Sequence, residues 1–216
     1  MRLLLALLAL FAPFSLQAAT YAVTTANYTS VQGSIYTTAM HISGTFTTDH
    51  AIAPNLSSYN LASTTSNNTL LDWNFSDGAF TYTPSNSILT PDVGGLYVST
   101  DAAGNPTSLS VAFTSPKVFT AAGQSINDVG IVPGDGIGAD AGMTCLAVSS
   151  GQCTRIDTSN ASHGGVDSQV VTIAKLPDAA TAPAGSLAAW LVLSGILIWL
   201  SSRAAIFRPR RSVCPN

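Results

Sequence analysis

The sequence predicts an all-β protein, an antiparallel β-sandwich or jelly roll, carried between two apolar ends. Three observations point there. Apolar residues recur at every second position over short runs, the pattern of half-buried strands with one face inward. Turn-forming residues punctuate those runs. No stretch between residues 19 and 178 carries a sustained apolar stripe at helical spacing.

At the amino terminus Arg2 precedes an apolar run over residues 3–14, and Leu16-Gln17-Ala18 precedes Ala19. A short basic region, a hydrophobic region and a small-residue cleavage site are the parts of a secretory signal peptide, placed over residues 1–18.

The strands follow. Met40, Ile42 and Phe46 share one face with Gly44 in line, and His41, Ser43, Thr45 and Thr47 share the other. Leu71, Trp73 and Phe75 alternate against Asp72, Asn74 and Ser76; Phe80 and Tyr82 alternate with Thr81 and Thr83. Leu96 and Val98, then Leu109, Val111 and Phe113, then Val171 and Ile173 continue the pattern. Asp77-Gly78 lies between two such runs as a hairpin signal, because Gly takes the positive φ of a tight turn. Residues 101–106 read as a longer hairpin loop. Three segments lack alternation and read as loops: residues 57–69, 132–142 and 158–168. The last strand is expected around residues 169–174, closing a β-ectodomain over residues 19–175, and residues 176–185, with Pro177 and Pro183, read as a linker.

No charge falls between Asp178 and Arg203. At ~1.5 Å per residue this window is long enough to cross a ~30 Å hydrocarbon core, so residues 186–207 are expected to form a transmembrane helix. Residues 208–216, with Arg208, Arg210 and Arg211, then form a basic cytoplasmic tail.

All 11 acidic residues of the chain are Asp and lie between residues 19 and 178, against only Lys117, Arg155 and Lys175, which leaves that segment at −8. Such a balance argues against nucleic acid or anionic lipid as its partner. Cys145 and Cys153 have seven residues between them and are expected to pair as a disulfide in an oxidising compartment.

Few residues suggest chemistry, and no enzyme or cofactor is expected. Asp135 and Asp140 stand in a Gly-rich stretch that could offer oxygen ligands to Ca²⁺, but the spacing fits no calcium loop and an exposed turn is the simpler reading. His41, His50 and His163, expected on a strand, a strand end and a loop, belong to no ligand motif. No Ser sits in a Gly-x-Ser-x-Gly elbow. Asp72 and Asp77 read as turn and edge residues near the solvent side rather than as a glycosidase pair. Among the aromatic residues Tyr59, Trp73, Tyr82 and Tyr97, Trp73 is expected in the core and Tyr97 is the open candidate for stacking on a sugar. Asn27, Asn55, Asn67, Asn74 and Asn160 each head an Asn-x-Ser/Thr triplet, a pattern that a Ser/Thr-rich composition produces by itself.

Residues 181–195, Thr-Ala-Pro-Ala-Gly-Ser-Leu-Ala-Ala-Trp-Leu-Val-Leu-Ser-Gly, a following hydrophobic stretch and Arg208-Pro209-Arg210-Arg211 resemble the PEP-CTERM family of sorting signals. The closest variants read Val-Pro-Leu-Pro-Ala before Ala-Trp-Leu and Leu-Ser-Gly; here Thr181-Ala182 precedes Pro183, without their first Pro. Pro183, Trp190, Gly195, Arg208, Arg210 and Arg211 carry the likeness. Looser similarity to ectodomains of such proteins lies in residues 42–49, 76–78 and 97–105. The resemblance implies an exported protein of a Gram-negative bacterium, held in the inner membrane with its ectodomain in the periplasm, recognised by an exosortase, and passed to the cell surface or matrix. It further implies a structural role associated with exopolysaccharide and biofilm. The alternative expectation is a carbohydrate-binding or adhesive module, calcium-assisted through Asp135 and Asp140.

Overall fold

Strands account for all the regular structure among the described residues, with no helix between them. A computed structural model describes residues 17–63, 68–90, 94–134, 136–168 and 170–177. The signal peptide, the transmembrane helix, the basic tail and most of the linker expected from the sequence lie outside these residues, as does Asp135. Among the described residues no helix is long and apolar enough to cross a membrane.

In chain order the strands are β1 (Ala19–Asn27), β2 (Ser30–Gln32), β3 (His41–Thr48), β4 (Tyr59–Asn60), β5 (Leu70–Ser76), β6 (Thr81–Tyr82) and β7 (Ile88–Leu89). They continue with β8 (Tyr97–Thr100), β9 (Pro106–Ser115), β10 (Ser125–Val132), β11 (Gly136–Ser149), β12 (Gln152–Asp157), β13 (Ser162–Val166) and β14 (Val171–Lys175). One antiparallel sheet runs β14-β1-β3-β5-β6 and the other β2-β13-β11-β10-β9-β8-β4, with β12 on β11 and β7 on β9. The fold is therefore all-β and β-sandwich-like.

Alternation builds the core. Tyr21, Val23, Ile42, Phe46 and Phe75 turn inward from the first sheet; Val98, Leu109, Val111, Phe113, Val129 and Ile131 turn inward from the second. Phe113 joins the two layers, with ring centroids 5.7 Å from Trp73, 5.0 Å from Phe75 and 6.4 Å from Tyr82. Such aromatic contacts add to area burial. Trp73 thus packs on the core, as its place in the alternation predicts. Gly44 sits in line with Ile42 and Phe46 because the Phe75 ring occupies its space: a Cβ there would stand 2.7 Å from Phe75 Cγ.

Two hairpins match expectation: β5 to β6 across Asp77-Gly78, where Gly78 has φ 94°, and β8 to β9 across residues 101–105. Cys145 and Cys153 form the expected disulfide, with Cα atoms 5.7 Å apart, and Cys145 joins a small second core with Phe119, Ile126 and Met143.

Four expectations need correction. Residues 57–69 are not loop throughout, since β4 (Tyr59–Asn60) pairs with β8 there and Leu61 is buried. Residues 136–142 are not a turn: they open β11, the longest strand, and Asp140 lies within it. Residues 162–166 are β13 rather than loop, which puts His163 on a strand. In these last two cases burial alternates along the segment, but Gly, Ala and Ser occupy the alternating positions and carry too little contrast in hydropathy to show it. Leu71 is 55 % exposed instead of sharing the inner face with Trp73 and Phe75. The register pairs Thr47 with Asp72 and Thr48 with Leu70, so Leu71 is the extra residue of a bulge.

Candidate functional site

The outer face of the second sheet carries a cleft that the strand register explains. Residues directly opposite one another in an antiparallel pair point to the same side. One outward row runs Thr114, Asp128, Asp140, His163, Gln32 across β9, β10, β11, β13 and β2. The next outward row runs Ala112, Gly130, Gly138, Gly165, Ser30 across the same strands. A row with almost no side chains beside a row of polar ones leaves a trench crossing the strands. At ~4.8 Å between neighbours it spans about 19 Å. Its volume is about 590 Å³, and Asp128, Asp140, His163 and Asp167 are among its lining residues.

His163 and Asp140 form the polar centre. Nδ1 of His163 lies 3.0 Å from Oδ1 of Asp140, with both side chains nearly half exposed. A carboxylate only accepts, so Nδ1 carries the proton and donates. The ring then lies over the trench floor: a Cβ on Gly165 would stand 2.9 Å from Nε2, and one on Gly138 3.4 Å from Cε1. Among the described residues no Lys or Arg lines the cleft. It is built to accept hydrogen bonds from hydroxyls and amines and to repel anions.

Asp77 sits elsewhere and differs from expectation. It is fully buried at the turn after β5, not near solvent. Its Oδ2 accepts the Tyr36 and Tyr82 hydroxyls at 2.8 Å each, and its Oδ1 accepts the Ala79 and Phe80 amides at 2.8 and 2.6 Å. Its backbone carbonyl accepts the Tyr28 hydroxyl at 2.8 Å. Burial first, and the Asp77 charge with it, push the phenols of Tyr28, Tyr36 and Tyr82 well above the ordinary tyrosine range. Every lone-pair direction is spent on the protein, so Asp77 is a structural clasp and forms no pair with exposed Asp72.

The remaining predicted residues stay apart. His41 lies on β3, half-buried, and His50 pairs with Asp49 at 2.8 Å. Tyr97 is partly exposed on β8. Asn27, Asn55, Asn74 and Asn160 are exposed. Asn67, Asp135, Pro183, Trp190, Gly195, Arg208, Arg210 and Arg211 lie outside the described residues. Among the described residues no group of His, Cys or Asp side chains is arranged to hold a metal ion. The joining of Asp128, Asp140 and His163 has no signal in the sequence, because cross-strand register is not written in local spacing.

A second outward surface belongs to the first sheet. Its rows run Thr20, Thr47, Asp72; Ala174, Ala22, Thr45, Asn74; and Thr172, Thr24, Ser43, Ser76. Nearly every position is a hydroxyl, an amide or Ala, with Asp72 the one charge in these rows. No protein-family model matches the chain, and no curated protein or solved structure is significantly similar to it.

Proposed function

We propose that this chain is an exported, exosortase-sorted surface or extracellular-matrix protein with a non-catalytic, structural role in exopolysaccharide or biofilm. The observation that carries this reading is the hydroxyl-and-amide face of the β14-β1-β3-β5 sheet. Thr24, Ser43, Thr45 and Asn74 lie on it at the regular spacing of a sheet. A hydrated polysaccharide presents hydroxyls at comparable repeat. Each exchanged hydrogen bond is worth little alone, about 0.5–1.5 kcal/mol net, but many acting together on one polymer hold it. In this reading residues 1–18 direct export, residues 186–207 anchor the chain in the inner membrane, and Pro183 with the arginine tail presents it to the processing peptidase. The two sheets form an antiparallel β-sandwich displayed on the outer side.

The test is the intact mass of the protein recovered from the matrix and membrane fractions of the producing cell. Loss of residues 1–18 and of the arginine tail, with the product in the matrix, supports the reading. A product that keeps Arg208–Arg211 and stays in the inner membrane contradicts sorting.

A second reading, a carbohydrate-binding or adhesive module, is favoured by the cleft. Asp140 lines it with its Oδ1 paired to His163, so binding there is expected to survive a chelator; a loss would point to calcium assistance.

A further inference from the structure

We propose that the cleft across β9, β10, β11, β13 and β2 binds a linear glycan of amino sugars bearing free ammonium groups. This deepens the polysaccharide reading, and rests on it for the class of polymer. Three independent features lead there.

The first is Gly130. Its backbone needs no positive φ, and a Cβ added to it would meet Ala112 Cβ at 3.7 Å and Val132 Cγ2 at 3.9 Å, ordinary contacts. The fold therefore does not require glycine in the middle of this central strand, where glycine is destabilising. Gly138 is different, since a Cβ there would stand 2.8 Å from the Gly164 carbonyl oxygen. An unrequired glycine on a trench floor marks a place that something approaches closely.

The second is Thr90, which lines the same cleft. Its Oγ1 is buried and has no hydrogen-bond partner among the described residues. Buried polar atoms are ordinarily satisfied, and a turn of the Thr90 side chain about χ1 would present this hydroxyl to a ligand in the cleft.

The third is the sign of the walls. Asp128, Asp140 and Asp167 line the cleft and, among the described residues, no Lys or Arg does. Carboxylates take both hydroxyls and ammonium groups, and they exclude uronates and phosphates. The polar row advances one strand at a time, ~4.8 Å, a step close to the length of one sugar unit. Among the described residues the floor offers a peptide only small apolar groups, Ala112 and Val132 beside Gly130, and its backbone groups are spent in the sheet ladder.

Titration calorimetry on the full chain in detergent micelles tests this, with four probes: a glucosamine hexamer, its N-acetylated form, a galacturonate hexamer and pentalysine. The expected result is saturable binding of the glucosamine hexamer, at least about tenfold weaker binding of the acetylated form, and none of the galacturonate. In Gly130→Val the binding is lost while the melting temperature holds or rises, and in Asp140→Asn it weakens at least about tenfold. No saturable binding by the wild type overturns the proposal, as does undiminished binding by both variants. Pentalysine binding as tightly as the sugar overturns the glycan class. If the titrations fail while the wild type still co-sediments with matrix polysaccharide, the cleft proposal fails and the sheet-face reading stands.

Discussion

Tyr36 and Tyr82 donate their hydroxyls to one atom, Oδ2 of Asp77, each at 2.8 Å. Tyr82 comes from the strand after the Asp77 turn, while Tyr36 comes from the segment between β2 and β3, so a single carboxyl ties distant parts of the chain. Asp77→Ala leaves two hydroxyls and two amides without their acceptor. At about 1–3 kcal/mol for each unsatisfied buried group, the loss is expected to be at least about 4 kcal/mol, a large share of a domain's stability. Asp77→Asn keeps the acceptor for the two amides and should cost less. Urea unfolding of both variants checks the order.

The same clasp sets an alkaline limit. The unfolded phenols titrate near 10, while Tyr28, Tyr36 and Tyr82 are held higher in the fold, by burial first. Above pH ~10 the unfolded chain binds fewer protons than the native one, so stability falls as pH rises. The slope reaches about 1.4 kcal/mol per pH unit for each such phenol. Their phenolate absorbance is expected to appear only together with loss of the sheet signal. On the acid side Asp101 is held below the ordinary carboxyl range, first by the Asn105 side chain. Its contribution is present above pH ~4 and fades as pH falls.

The disulfide closes a loop of eight residues' separation beneath the small second core. By loop closure it contributes about 2–3 kcal/mol. Cys145→Ser with Cys153→Ser should lower the thermal midpoint and release the β11–β12 hairpin first, seen as early hydrogen exchange there. The paired core of Phe113 and its aromatic neighbours should keep its protection.

Two glycines should respond oppositely to Ala. Gly44→Ala drives a methyl into the Phe75 ring, at 2.7 Å from Cγ, and should cost about 1–3 kcal/mol. Gly130→Ala meets only ordinary contacts and should be neutral or gain up to about 1 kcal/mol. Thermal melts of the pair measure this.

The inner faces were legible where large apolar residues alternate, as in Ile42 and Phe46 or Leu109, Val111 and Phe113. The turn at Asp77-Gly78 and the bond between Cys145 and Cys153 were legible from local spacing. β13 and the start of β11 were not, because Gly138, Ala139, Gly164 and Gly165 alternate in burial without alternating in hydropathy. The cleft was hidden for another reason. Asp128, Asp140 and His163 meet only through strand register, and Asp77 looked like a surface turn residue because its tyrosine partners lie outside the turn itself.

The proposed hold of the first sheet's hydroxyl face on polysaccharide is tested by co-sedimentation with purified matrix exopolysaccharide. The wild-type chain is compared with a variant carrying Thr24→Val, Thr45→Val and Asn74→Leu, outward positions whose replacement leaves the inner faces intact. The wild type is expected to sediment with the polymer, and the folded variant to lose most of that retention. Equal retention of the two, with matching melting curves, would contradict it.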